Sequence, residues 1–290
     1  MTFVQLEVFS VLAELKSFTL AAKQLKISQS AISHALKALE QQWNVRLFHR
    51  NKNEVEITEI GYELLIYTNE ILSNSSVLTQ KISDFHGFKA GKITIGSFGA
   101  SSSNVLIPLI LKKFTVKYPN IEIFIKEGTD KQIAQWLTER KIDVGFVVLP
   151  EDHFDTYPII EDIFVALIPK NLTLSQKQSI TLKEIVQYPF LMTAAGSEQH
   201  VNQIFRQANL NPIIKCHFSQ ILTIINMVNN NMGVSIVADM ALNKNLLELY
   251  PNVSKHPLSP NIKRSIGLAV KSKNYLSPII KDFIEIAQSI

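Results

Sequence analysis

Four polar side chains in one short stretch have the types and spacing to read a duplex: Ser30, Ser33, His34 and Lys37, which lie three, one and three residues apart. On a helix these positions share one face, and their hydroxyl, imidazole and ammonium groups can donate to phosphate oxygens and base edges. The same surface could also be the solvated side of any amphipathic helix. A second set sits where strand-like segments end: Ser101, Ser102 and Ser103, then Thr129, then Thr193 and Ser197, then Ser219 and Gln220. In open α/β sheets ligands bind beyond the carboxyl ends of strands, where helix N-termini bring free N–H groups and partial positive charge. Hydroxyls placed there suit a carboxylate or another small oxyanion, although each could instead be a helix cap.

Other chemistries lack their residues. The seven histidines show no HExxH or other metal-ligand spacing, and the single cysteine, Cys216, rules out a thiolate cluster or an internal disulfide. Neighbouring side chains of a strand point to opposite faces, which sets Cys216 and His217 badly for mutual activation. No GxSxG elbow, P-loop or GxGxxG fingerprint occurs, and Gly196-Ser197-Glu198 reads as a helix cap. The expectation is no catalytic residue, no metal and no cofactor, only a small-molecule effector of unknown identity, a carboxylate being the candidate.

The elements that must position the first set begin at Thr2, which has capping-box spacing to Gln5. Phe3, Leu6, Phe9, Val11 and Leu12 follow at roughly helical period, so a first helix should run to about Lys16. A short second helix, Leu20 to Leu25, closes near Ser28, a plausible N-cap for a third. In the third, Ala31, Ile32, Ala35, Leu36 and Leu39 form an apolar stripe opposite the polar face. From Trp43 to Thr58 a basic turn separates two runs with β-branched or aromatic residues, the pattern of a small β-wing.

The run Phe9 to Glu40, FSVLAELKSFTLAAKQLKISQSAISHALKALE, resembles the helix-turn-helix of LysR-type transcriptional regulators almost without gaps. The resemblance implies that Gln29, Ser30 and Ser33 meet bases and phosphates, that Lys37 meets the DNA backbone, and that Arg50, following Phe48, is the arginine of the wing. Where the family usually carries a second basic residue in the wing, this sequence has Asn53, with Lys52 beside it. The expected DNA-binding set is Gln29, Ser30, Ser33, His34, Lys37, Arg50 and Lys52.

From Thr58 to about Phe85 there is no proline, and Gly61 is the only weak helix former, so one long helix is expected. Leu64, Ile71, Leu78 and Phe85 recur every seven residues, but Thr68 and Ser75 fill the companion positions, leaving half a coiled-coil seam. The seam suits pairing of two chains; packing within its own chain is the alternative. The two glycines of Asp84–Gly91 mark a hinge.

Beyond it, strand and helix signals alternate to the end of the chain, with a Thr181-x-x-Glu184 capping box and a last helix started by Ser277 and Pro278. The expected fold is α/β: a winged helix-turn-helix over 1–58, a linker and dimerisation helix with hinge over 59–89, and a two-lobed effector domain over 90–290. Lobe I takes about 90–162 and 267–290, and lobe II about 163–266. Two such lobes joined by crossing strands resemble the family's effector domain, which is similar to periplasmic solute-binding proteins. The candidate effector residues are Ser101, Ser102, Ser103, Thr129, Thr193, Ser197 and Gln220.

At 290 residues the chain suits two or three compact units. A net charge of +4 is compatible with nucleic acid but decides little. No run of about 18 apolar residues occurs, as a membrane span would need, and no secretory signal is visible, so the expected place is the cytoplasm. Expected partners are double-stranded promoter DNA, a second copy of the chain, by resemblance a tetramer built from dimers, and RNA polymerase, with no membrane. The competing readings are a solute-binding protein with a helical appendage, which would want a signal peptide, and an α/β enzyme, which would need a catalytic constellation.

Overall fold

A computed structural model describes residues 1–51, 54–85, 90–193, 197–242 and 244–290; the side chains of Arg50, Asn51, Glu54, Gln80, Ser83, Asp84, Phe85, Ala90, Lys244 and Tyr275 are not among those described. Lys52 and most of the expected hinge therefore lie outside the described residues. The chain divides into two compact units, Met1–Phe88 with Thr138–Lys141, and Lys89–Leu137 with Ile142–Ile290. Among the described residues no helix is long and apolar enough to cross a membrane.

The first unit opens with α1 (Phe3–Leu15), α2 (Phe18–Leu25) and α3 (Gln29–Trp43). Thr2 and Gln5 close a reciprocal capping box, and the hydroxyls of Ser17 and Ser28 accept from the N–H groups of Leu20 and Ala31. Each helix ends on a residue in the left-handed region, Lys16, Lys26 and Asn44, which turns the chain sharply toward the next element. Ser17 caps α2, so that helix starts two residues before the expected Leu20. The apolar stripes meet in one core in which Phe9, fully buried, takes the rings of Trp43 and Phe48 edge-on at 6.3 and 5.7 Å.

The wing is a two-stranded hairpin of β1 (Phe48–Asn51) and β2 (Glu54–Ile57), paired from Phe48↔Ile57 to Asn51↔Glu54. Glu40 of α3 accepts the Leu47 N–H at 2.8 Å and fixes the entry to the hairpin. Thr58 then donates its hydroxyl to the Arg46 carbonyl at 2.7 Å and accepts the Gly61 N–H at 3.0 Å, which starts the long helix α4 (Glu59–Phe85). A Cβ on Gly61 would stand 2.4 Å from the Leu47 carbonyl oxygen. The residue that looks like a defect in helix propensity is the one that lets α4 close on the wing.

In the second unit, β3 (Ala90–Phe98) leads through a single turn α5 (Gly99–Ser101) and a π-turn (Ser102–Leu106) into α6 (Ile107–Lys117). There follow β4 (Asn120–Gly128), α7 (Asp130–Thr138), β5 (Val144–Leu149) and the fifteen-residue β6 (Asp155–Pro169). Next come β7 (Ile180–Thr181), α8 (Leu182–Ile185), β8 (Phe190–Thr193), α9 (Glu198–Gln207) and β9 (Ile214–Phe218). The chain closes with α10 (Ile221–Asn229), β10 (Ser235–Ala238), α11 (Lys244–Glu248), β11 (Val253–Ser259), β12 (Lys263–Val270) and α12 (Pro278–Gln288).

Lobe I is the parallel set β4-β3-β5 extended by antiparallel β12 and the first part of β6, with α6 and α12 in its core. Lobe II holds the rest of β6 between β10 and β11, together with the parallel pair β8-β9. In β6 the residues Phe164, Ala166 and Ile168 enter one lobe II core and Val165 and Leu167 another, so both faces of the strand are covered. That is why this stretch reads as an unbroken apolar run. β6 leaves lobe I after Ile163, which pairs Lys263, and the chain returns at the same level, with the Phe164 N–H donating to the Ile262 carbonyl at 2.9 Å. Ile266 packs in lobe I, so the return comes a few residues before Gly267, where the sequence reading places it.

Helix propensity alone makes Gly61→Ala stabilising by about 1 kcal/mol. The close approach to Leu47 reverses the sign: urea unfolding of the variant is expected to show a loss of at least ~1 kcal/mol, and a gain would refute the junction described above.

Candidate functional site

On α3, Ile32, Leu36 and Leu39 are buried in the core, which fixes the rotation of the helix. Gln29, Ser30, His34 and Lys37 are exposed and Ser33 is half-buried, so the five share the outer surface. Ser30 is engaged locally, its hydroxyl 2.9 Å from that of the cap Ser28. Arg50 lies in β1, but its side chain is outside those described, and Lys52 is outside altogether. On α4, Leu64 is half-buried and packs against the core of the first unit, whereas Ile71 and Leu78 are exposed. Tyr67 and Ile82, four residues before Ile71 and four after Leu78, extend that exposed apolar stripe. Phe85 ends α4 and its side chain is not described.

Within the second unit a cavity of about 570 Å³ opens between the lobes, a volume ordinary for a small-molecule site. Ser101, Ser103, Thr129, Thr193, Ser197 and Gln220 all line it. Ser102 does not. It is fully buried, with its hydroxyl turned back to the Phe98 carbonyl and 2.8 Å from Ser97 Oγ, because successive helical residues point some 100° apart.

The lining residues differ in how far they are already engaged. Thr129 is a cap: its hydroxyl accepts the Gln132 N–H at 3.3 Å while Gln132 Oε1 accepts the Thr129 N–H at 2.9 Å. Ser197 and Gln220 occupy the N-cap positions of α9 and α10 without a side-chain cap bond, so those helix N-termini present open N–H groups. Ser103 Oγ lies 2.7 Å from Ser97 Oγ.

At the level where the strands cross stands an arginine that sequence reasoning did not single out. Arg264 of β12 is paired in register with Asp162 of β6. Its Nε and Nη2 donate to Asp162 Oδ2 at 3.0 and 2.7 Å, and Nη2 also donates to Ser101 Oγ at 2.6 Å. Asp162 Oδ1 accepts the N–H groups of Ile163 and Met240 at 2.8 and 3.0 Å. The guanidinium lies 5.8 Å from the ring centroid of Phe98 and 5.4 Å from that of Phe164. Both charged side chains are almost fully buried, 3% and 4% exposed. Burial pushes Arg264 below its ordinary value and Asp162 opposes the shift.

Beside the cavity, Asp130, the first residue of α7, and His200 of α9 interact electrostatically from opposite lobes. Burial raises the Asp130 carboxyl against the pull of His200 and Arg264, and burial lowers the His200 imidazole against Asp130. Asp130 Oδ1 and His200 Nδ1 are buried without a hydrogen-bond partner among the described residues. Glu127, at the end of β4, lines the cavity and is exposed to it. Arg264 stands between Lys263 and Ser265 at the start of β12, a polar run that reads as a solvated strand end, so no local signal marks the cluster.

Removing one partner of a buried ion pair strands the other charge. Asp162→Ala is therefore expected to cost ~3–5 kcal/mol in urea unfolding. Glu161→Ala breaks the neighbouring exposed Lys263–Glu161 pair, 65% and 69% exposed, and is expected to cost under ~1 kcal/mol. Equal costs would show that Arg264 is not held as described.

Comparison with known proteins agrees with this architecture. Residues 3–62 match the family model of the bacterial regulatory helix-turn-helix protein, lysR family, and residues 86–289 match that of the LysR substrate binding domain. The chain is 31% identical to the uncharacterized HTH-type transcriptional regulator YvbU of Bacillus subtilis, over 100% of this chain and 99% of the relative. It is 25% identical to the transcriptional dual regulator GltC of the same organism, over 97% and 94%. Among solved structures, a full-length OxyR variant from Pseudomonas aeruginosa shares the fold at a TM-score of 0.79 and 21% identity, covering 100% of this chain and 94% of that one. CbnR complexed with its target DNA does so at 0.66 and 20%, covering 100% and 99%. The chain belongs to the LysR family: it is a transcription regulator with an N-terminal helix-turn-helix and a C-terminal effector-binding domain.

Proposed function

We propose that α3 is the recognition helix, entering the major groove with Gln29, Ser30, Ser33 and His34 toward base edges and phosphates and Lys37 on the backbone, while Arg50 and Lys52 serve the wing. The observation that carries this reading is the division of α3 into a buried stripe of Ile32, Leu36 and Leu39 and an outer surface of hydroxyl, amide, imidazole and ammonium groups. The partner is double-stranded promoter DNA; CbnR, a family member of the same fold, is described in complex with its target DNA. Two copies pair through the exposed apolar stripe of α4, Tyr67, Ile71, Leu78 and Ile82, and so present two reading heads to a pseudo-palindromic site. The working compartment is the cytoplasm.

The activity is set by a small molecule held between the lobes of the second unit, with Ser101, Ser103, Thr193, Ser197 and Gln220 as its hydrogen-bonding partners and Thr129 contributing chiefly as a cap. Open N–H groups at α9 and α10 beside hydroxyls support a carboxylate on that molecule. Such a ligand favours the state in which the lobes embrace it, and this shift in population alters what the paired heads do to DNA.

The head assignment is tested by fluorescence anisotropy of labelled DNA taken from beside the protein's own gene, over a range of salt. Ser33→Ala is expected to lose ~1–3 kcal/mol of specific binding. Lys37→Ala is expected to weaken all sequences alike and flatten the logarithmic salt slope by about one. Weak, sequence-independent binding shared by the native protein and both variants would overturn the assignment.

A further inference from the structure

The cavity between the lobes has two chemically different walls. Lobe II supplies Thr193, Ser197 and Gln220, hydroxyl and amide groups without formal charge, in front of the N-termini of α9 and α10, helices of ten and nine residues. Ser197 is 7% exposed, lines the cavity and makes no side-chain hydrogen bond among the described residues, so its hydroxyl can serve a ligand there. This wall accepts negative charge.

Lobe I is the opposite. The cation lining the cavity there, Arg264, is already neutralised by Asp162, on which two of its nitrogens converge, and its remaining described bond goes to Ser101. Glu127 lines the same wall and pairs with no described residue. Asp130, next to the lining residue Thr129, holds a buried Oδ1 with no hydrogen-bond partner among the described residues. Burial favours the neutral form of Asp130, and His200 and Arg264 both act on it, which leaves Glu127 as the carboxylate of this wall that no described cation offsets; a ligand that was only an anion would meet its negative field across the cavity.

Resting on the reading that this cleft is the effector site, we propose that the effector is a zwitterion of the amino-acid class, its ammonium group on Glu127 of lobe I and its carboxylate on Ser197 and the α9 and α10 N-termini of lobe II. Opposite ends of one molecule then engage opposite lobes, so the ligand gains both charge pairings only when the lobes hold it together. That supplies the difference in affinity between two states that an effector needs.

The test is isothermal titration of the full-length protein with the common L-amino acids and with their 2-oxo acid counterparts, which keep the carboxylate and lack the ammonium. At least one amino acid is expected to bind roughly ten-fold or more tightly than its 2-oxo acid, the worth of one hydrogen bond between charged groups. Glu127→Gln, a change at an exposed position, is expected to erase that preference, and Ser197→Ala to weaken both compounds. If 2-oxo acids bind as well as amino acids, if Glu127→Gln leaves the preference intact, or if no amino acid binds, the inference fails. Binding of either class that Ser197→Ala and Glu127→Gln both leave unchanged would show that the ligand lies elsewhere, and the cleft reading itself would fail with it.

Discussion

The second unit depends on one buried ion pair. An arginine and a carboxylate taken out of water are costly unless they are paired and hydrogen-bonded; here two guanidinium nitrogens converge on Asp162 Oδ2, Ser101 accepts a further bond from Arg264, and backbone N–H groups of Ile163 and Met240 serve Asp162 Oδ1. The pair sits where β6 passes from one lobe to the other and where β12 returns, so it constrains the register of both crossing strands at once. A slip of one residue would place these charges on the opposite face of the sheet, among apolar side chains. The same pair sets the electrostatics of the cavity, because it occupies the arginine that would otherwise attract an anion, and it holds the Ser101 hydroxyl at the cavity wall.

The first unit obeys a different constraint, the closure of a small core by short helices and a two-stranded hairpin. Three helix ends in the left-handed region, serine caps ahead of α2 and α3, and the contact of Thr58 and Gly61 with the wing give the chain little freedom in how the elements meet. With Phe9, Trp43 and Phe48 packed edge to face, α3 can turn only one side outward. The rigidity of the outer surface of α3 thus comes from packing beneath it, which is what the proposed base-reading role requires.

Much of this is legible in the sequence because the signals are local. The caps at Thr2, Ser28, Thr181 and Ser277, the stripe of α3 and the length of α4 rest on spacing within a few residues, and the structure places them as expected. Signals that depend on distant partners are not. Asp162 and Arg264 lie inside β6 and β12, where a charge would ordinarily mark the end of a buried strand; here two charges face each other across the ladder. Ser102 groups with its neighbours by sequence, whereas the helical turn that begins at Gly99 sends it to the interior. Leu64 fits a seven-residue repeat and also packs, half-buried, against the core below it. Glu127, Asp130 and His200 come together only once the lobes are folded, so no spacing announces them.

That paired heads of this chain read one particular stretch of DNA is tested most directly by DNase I footprinting over the full region beside its gene, with the purified full-length protein at moderate salt. The expected result is protection confined to a pseudo-palindromic site, with half-sites a whole number of helical turns apart, about 10–10.5 base pairs or a multiple of that. Uniform, weak protection along the whole fragment, or none at concentrations where the protein is folded and dimeric, would contradict it.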